Sequence, residues 1–155
     1  MDFSLSQEQQ DLIDLAKKLI IADKPSDVLW EQLSDLGFMS INFNKRFGGL
    51  DLTFLEVCLV LEVMGSKALT LPYINTMIAG NAIEEYGSTA LKDLILPNIT
   101  KGKLILSLAL LEPGSISLEE PKIILSTKNK GYEVNGKKIC VAYAKESSYI
   151  LVSCL

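Results

Sequence analysis

The pattern of apolar residues changes character once along this chain, and that change fixes the class of fold. From Ser6 to about residue 101 apolar side chains recur at helical spacing, whereas from Leu104 onward they come in short runs of strand length. Helices followed by strands, without alternation, give an α+β fold with the two kinds of element segregated. We expect an N-terminal all-α bundle over 1–103, followed by a partial antiparallel β-barrel-like domain over 104–155. The run Tyr149-Ile150-Leu151-Val152-Ser153-Cys154-Leu155 is apolar and β-favouring, the composition of a strand inside a sheet. It implies that the β part is incomplete by itself.

Ser6-Gln7-Glu8-Gln9 fits a capping box, and Leu12, Leu15, Ala16, Leu19 and Ile20 then share a helical face, predicting a helix over about 6–22. Pro25 and Ser26 open a second, with Val28, Leu29, Leu33 and Leu36 on one face and Gly37 as its stop. Residues 38–52 show no period and read as a loop. Thr53-Phe54-Leu55-Glu56 is a second capping box, opening a nearly all-apolar helix that ends near Gly65 and belongs in the centre of a bundle. Further helices are expected over about 74–86 and 89–101, with Pro97 ending or kinking the last. Strand-length runs follow at Leu104–Leu110, Lys122–Leu125, Tyr132–Val134, Ile139–Tyr143 and Tyr149–Cys154, with Asn135-Gly136 as a hairpin signal.

Composition excludes several function classes. The 155 residues contain no histidine, which removes Ser-His-Asp and Cys-His nucleophilic machinery and the commonest transition-metal ligand. Cys58, Cys140 and Cys154 lack paired spacing and are expected as buried free thiols, with neither a disulfide framework nor a metal site. Net charge is −4: residues 1–120 hold nine basic and seventeen acidic groups, while residues 121–155 hold six lysines and two glutamates. An acidic chain of this kind is not expected to bind nucleic acid, and the tail lysines read as solubilising groups on strands. No apolar run reaches the roughly 20 residues of a membrane span, and no signal peptide opens the sequence, so no membrane association and a cytoplasmic location are expected. Glu84 and Glu85 are adjacent on a helix and point about 100° apart, so they read as a solvated face. Glu56 and Glu62 read as helix-end or bundle-surface groups, and Gly48-Gly49 as a tight turn, not a phosphate loop. Phe43, Phe47 and Phe54 are candidate acyl-pocket aromatics or plain core.

Several segments in order resemble the acyl-CoA dehydrogenase family. Met1-Asp2-Phe3-Ser4-Leu5-Ser6-Gln7-Glu8-Gln9 is similar to its first helix and Trp30-Glu31-Gln32-Leu33-Ser34-Asp35-Leu36-Gly37-Phe38 to its second. Phe47-Gly48-Gly49-Leu50, Leu61-Glu62-Val63-Met64-Gly65, Leu96-Pro97 through Lys101-Gly102, Leu111-Glu112-Pro113-Gly114 and Asn135-Gly136-Lys137-Lys138 extend the resemblance along the whole chain. The resemblance implies FAD-dependent oxidation of the Cα–Cβ bond of an acyl-CoA thioester, with the catalytic base in a C-terminal helical domain outside these residues. No catalytic residue is therefore assigned here, and no metal.

By the same resemblance the cofactor-binding positions are Leu111, Pro113, Ser117, Cys140 and Ala142. The family's turn carries a threonine where this chain has Leu111. It carries an aromatic, an aliphatic and a Thr or Ser where this chain has Cys140, Val141 and Ala142. Two side-chain hydroxyls and one stacking surface are thus missing, which predicts FAD binding that is weak or lost in this chain alone. Three readings follow: part of an FAD-dependent acyl-CoA dehydrogenase; a noncatalytic subunit paired with a homologous acyl-CoA dehydrogenase chain; or a module that self-associates through its unfinished sheet.

Overall fold

A computed structural model describes residues 4–20, 24–115, 121–128 and 131–155. Five helices come first: α1 (Gln7–Leu19), α2 (Ser26–Asp35), α3 (Phe54–Ser66), α4 (Tyr73–Tyr86) and α5 (Thr89–Ile99). Four short strands follow: β1 (Leu106–Ala109), β2 (Leu125–Lys128), β3 (Gly131–Val134) and β4 (Tyr149–Val152). The α+β order expected from the sequence is present.

Both capping boxes form. Gln9 N–H donates to Ser6 Oγ at 3.2 Å, and Ser6 N–H donates to Gln9 Oε1 at 3.0 Å. At α3, Glu56 Oε2 accepts from Thr53 N at 2.9 Å and Thr53 Oγ1 at 2.6 Å. The second carboxylate oxygen accepts from Gln9 Nε2 at 2.8 Å, so one side chain caps α3 and ties it to the start of α1. Burial raises the Glu56 pKa, but the hydrogen bonds from Gln9 and Thr53 outweigh it and hold the carboxyl below its ordinary value. Helix α1 ends at Leu19, earlier than expected, with Ile20 in extended geometry and Lys24 Nζ donating to the Leu19 carbonyl at 3.1 Å; residues 21 and 22 lie outside the described residues.

Helical faces are narrower than the sequence implies. Leu29 and Leu33 are buried in α2, but Val28 and Leu36 are exposed. In α3, Val57, Val60, Val63 and Met64 face inward, while Leu55 is 51% exposed and Cys58 also faces outward. This helix packs on α1 along one side and is not central. The expected buried thiols are corrected too: Cys58 and Cys140 are exposed and Cys154 half-buried, since each falls on an outer face or a turn.

Residues 38–52 form a compact part of the core. Two 3-10 turns, Phe38–Ser40 and Lys45–Phe47, bury Phe38, Met39, Ile41, Phe43 and Phe47. Backbone bonds from Leu50 N to Ser40 O, Asp51 N to Phe43 O and Leu52 N to Ile41 O close the segment. A Cβ on Gly49 would lie 1.7 Å from the Phe43 carbonyl oxygen, so only glycine admits this approach. The Phe43 ring in turn sits where a Cβ on Gly80 of α4 would be, 2.6 Å from its Cζ. Phe43 and Phe47 are thus core side chains, whereas Phe54 is exposed.

The β part departs from an antiparallel barrel. β1 pairs with β4 in parallel, Leu106 opposite Tyr149 and Ala109 opposite Val152, and β2 with β3 forms a separate antiparallel hairpin. The expected strand Ile139–Tyr143 reduces to a bridge between Ile139 and Leu111, and the expected strand Lys122–Leu125 shifts to Leu125–Lys128. Asn135-Gly136 is not the hairpin turn; β2 and β3 are joined between Lys128 and Gly131. Gly136 instead makes room for Ile123, whose Cδ1 would be 2.5 Å from a Cβ there. β1 docks on α4 through Thr76, whose Oγ1 accepts from Leu106 N at 3.1 Å.

Replacing Gly49 by alanine is expected to destabilise the fold by about 3 kcal/mol, the upper range for overpacking, because the obstacle is backbone. Gly65→Ala, in α3 with no atom within 4 Å of the new methyl, is expected to stabilise by about 0.5–1 kcal/mol. Urea unfolding of the two variants against the parent checks both signs.

Candidate functional site

The chain reverses at Glu112-Pro113-Gly114-Ser115, with Ser115 N–H bonded to the Glu112 carbonyl at 3.0 Å and Gly114 at φ 76°. Pro113 and Gly114 project into solvent while Glu112 turns inward. On the near side of this turn, Ile139 N–H donates to Leu111 O at 2.8 Å, which sets Leu111 against the start of Ile139-Cys140-Val141-Ala142. Ser107 of β1 donates its hydroxyl to the Ala142 carbonyl and anchors the other end of that segment. Three of the expected cofactor positions, Leu111, Cys140 and Ala142, are therefore on one segment pair. Cys140 and Ala142 are exposed, Leu111 is half-buried, and Ser117 lies outside the described residues.

The pair is held by an internal ion pair. Lys138 Nζ lies 2.7 Å from Glu112 Oε1, with the two side chains only 7% and 8% exposed. The same ammonium donates to Ser153 Oγ at 2.9 Å and to Leu110 O at 3.3 Å, so its three protons each have an acceptor. The Glu112 carboxylate also accepts from Lys122 N at 3.1 Å and Ile123 N at 3.2 Å. The bond from Lys138 holds the Glu112 carboxyl below its usual range; burial opposes this, and the two backbone N–H groups reinforce it. Glu112 is thus committed to structure and is not available as a proton acceptor.

Lys138 was expected among solubilising strand lysines, and its burial corrects that reading. Lys137 beside it is exposed, and two adjacent lysines carry no sequence signal that tells one from the other. Ser107 and Ser153 were likewise not singled out, because an isolated serine in an apolar run shows no partner until the strands meet. Glu84 accepts from Asn44 N at 3.0 Å and so steadies the 38–52 segment.

Cys140 takes φ 54° and Tyr143 φ 56°, a left-handed conformation that non-glycine residues rarely adopt. These residues leave strand geometry there, which is why the expected fourth strand does not form. Cys140 and Ala142 are exposed beside half-buried Leu111, and neither 111 nor 142 carries a side-chain hydroxyl. A flavin against these residues would meet no hydroxyl donor from 111 or 142.

In the unfolded chain Glu112 titrates at its ordinary value of 4.5. Because the folded value is lower, the pair contributes its full stabilisation above about pH 4.5 and loses it as pH falls through the folded value. Denaturant midpoints taken across the acid range should therefore fall less steeply in Glu112→Gln than in the parent; equal slopes would exclude this role.

A family model for the acyl-CoA dehydrogenase N-terminal domain matches residues 8–103. The acyl-CoA dehydrogenase FadE28 of Mycobacterium tuberculosis is 29% identical over 154 residues, which is 99% of this chain and 43% of that protein. Among solved structures, a variant of the Tcur3481-Tcur3483 steroid ACAD superposes with a TM-score of 0.86 at 25% identity, over 97% of this chain and 45% of its own. A structure described as PigA with FAD and proline gives 0.85 at 27% identity, over 98% of this chain and 44% of its own. The chain spans less than half the length of these relatives. With its five helices in the matched region and its turn and bridge in the expected order, this chain belongs to the acyl-CoA dehydrogenase family.

Proposed function

We propose that this chain supplies the helical part and the first β segments of an FAD-dependent acyl-CoA dehydrogenase, contributing to oxidation of the Cα–Cβ bond of an acyl-CoA thioester. The bridge between Leu111 and Ile139 carries this reading, because it puts the turn and the 140–142 segment side by side at the positions where the family resemblance expects the flavin. FAD, when bound, accepts the hydride. The residues here would present backbone groups to its ring from Leu111 and from Cys140 to Ala142, with Pro113 shaping the turn; Ser117 is the expected contact toward its phosphates.

Neither Glu112 nor Glu56 is free to remove the α-proton, since each carboxylate is consumed by several hydrogen bonds. The family resemblance assigns the base to a C-terminal helical domain and to neither of these carboxylates. Association with a homologous chain, or with a second copy, is supported by β4, where Tyr149, Ile150, Leu151 and Val152 are all exposed. We read 1–103 and 104–155 as two domains of such a protein.

A second reading, a noncatalytic subunit of a heteromeric acyl-CoA dehydrogenase complex, is favoured by the leucine at 111 and the alanine at 142. The two readings separate in a flavin titration. Restoring hydroxyls in Leu111→Thr/Ala142→Thr should tighten FAD binding by roughly one to two powers of ten if the flavin occupies this face, at about 0.5–1.5 kcal/mol per hydrogen bond. Flavin fluorescence against protein concentration measures it. An unchanged affinity would remove the flavin reading from this face and leave the structural-subunit reading.

A further inference from the structure

A cleft of about 460 Å³ opens between the first turn of α2, the connection from α3 to α4, the approach to β1 and the turn that follows Ala142. Its volume lies within the range of small-molecule sites. Leu71 and Pro72 give it an apolar side, Trp30 and Tyr143 add two aromatic rings, and Asp27 and Glu146 add two carboxylates. Among the described residues no lysine or arginine lines it.

The framework of the cleft is fixed before any ligand arrives. Trp30 Nε1 donates to the Gly102 carbonyl at 2.8 Å, which sets the indole. Glu146 N–H and Ser147 N–H both donate to Tyr143 O, at 3.2 and 2.9 Å, which closes the turn carrying Tyr143 and Glu146. Asp27 Oδ1 accepts from Val28 N at 2.9 Å. Among the described residues neither Asp27 nor Glu146 pairs with a cation, although three other carboxylates in the chain do.

We propose that this cleft binds a small organic cation, an alkylammonium group carried on an apolar body. Carboxylates at the rim supply the opposite charge, aromatic rings stabilise a weakly hydrated cation through their quadrupoles, and the apolar wall takes the hydrocarbon. An anionic ligand meets two like charges and no counter-charge. The proposal does not rest on flavin binding, since its residues lie outside the Leu111, Cys140 and Ala142 face.

Trp30 is the only tryptophan in the chain, so intrinsic fluorescence reads this cleft directly. The full chain is titrated with choline at constant ionic strength, and separately with the neutral isostere in which tert-butyl replaces trimethylammonium. Choline is expected to change Trp30 emission saturably, with the isostere about tenfold weaker or more, the scale of a desolvated cation–π contact. Asp27→Asn/Glu146→Gln should weaken choline by a similar factor while leaving the unfolding midpoint within a small shift, and Glu146→Gln alone should show part of the loss. Equal binding of the isostere, an unaltered choline affinity in the variants, or no saturable change with choline would each overturn the proposal.

Discussion

A carboxylate taken from water needs donors brought to it, and the Glu112 side chain is nearly inaccessible. Three donors from two separate stretches of chain converge on it: the Lys122 and Ile123 amides and the Lys138 ammonium. Lys138 extends the network to Leu110 and Ser153. The turn after β1, the approach to β2, the segment before Cys140 and the end of β4 are therefore positioned by one set of charge-assisted hydrogen bonds. A buried pair of this kind adds little net stability compared with an apolar substitute, but it penalises every arrangement that leaves one partner alone. Its effect is to select one register for strands too short to select it themselves.

The helical part reaches the same end by close contact. Phe43 lies where Gly80 leaves α4 without a side chain, and Gly49 passes directly over the Phe43 carbonyl. Those two absences of a Cβ let the 38–52 segment enter the core and pack against α4. Thr76, one turn earlier on α4, then accepts the Leu106 amide and carries that placement into β1. The position of the turn at Glu112 thus descends from the packing of the helices.

Family membership and the chemistry at one site are separate matters in this chain. The turn at Glu112 and its bridge to Ile139 are present, and Cys140 and Ala142 beside them are exposed. The side chains at 111 and 142 are hydrocarbon.

Local physics is written plainly in the sequence. Ser6 with Gln9 and Thr53 with Glu56 define two helix starts, because a capping box satisfies orphan amides with residues three positions apart. Gly37 ends α2 with φ 81°, and the apolar period locates all five helices. The resemblance of ordered segments identified the family and the turn at Glu112. What needed the tertiary structure was every outcome set by a distant partner. The parallel pairing of β1 with β4 and the burial of Lys138 but not Lys137 depend on residues 15 or more positions away. Asn135-Gly136 shows the limit most clearly: its hairpin propensity is real, but packing of Ile123 against Gly136 overrides it.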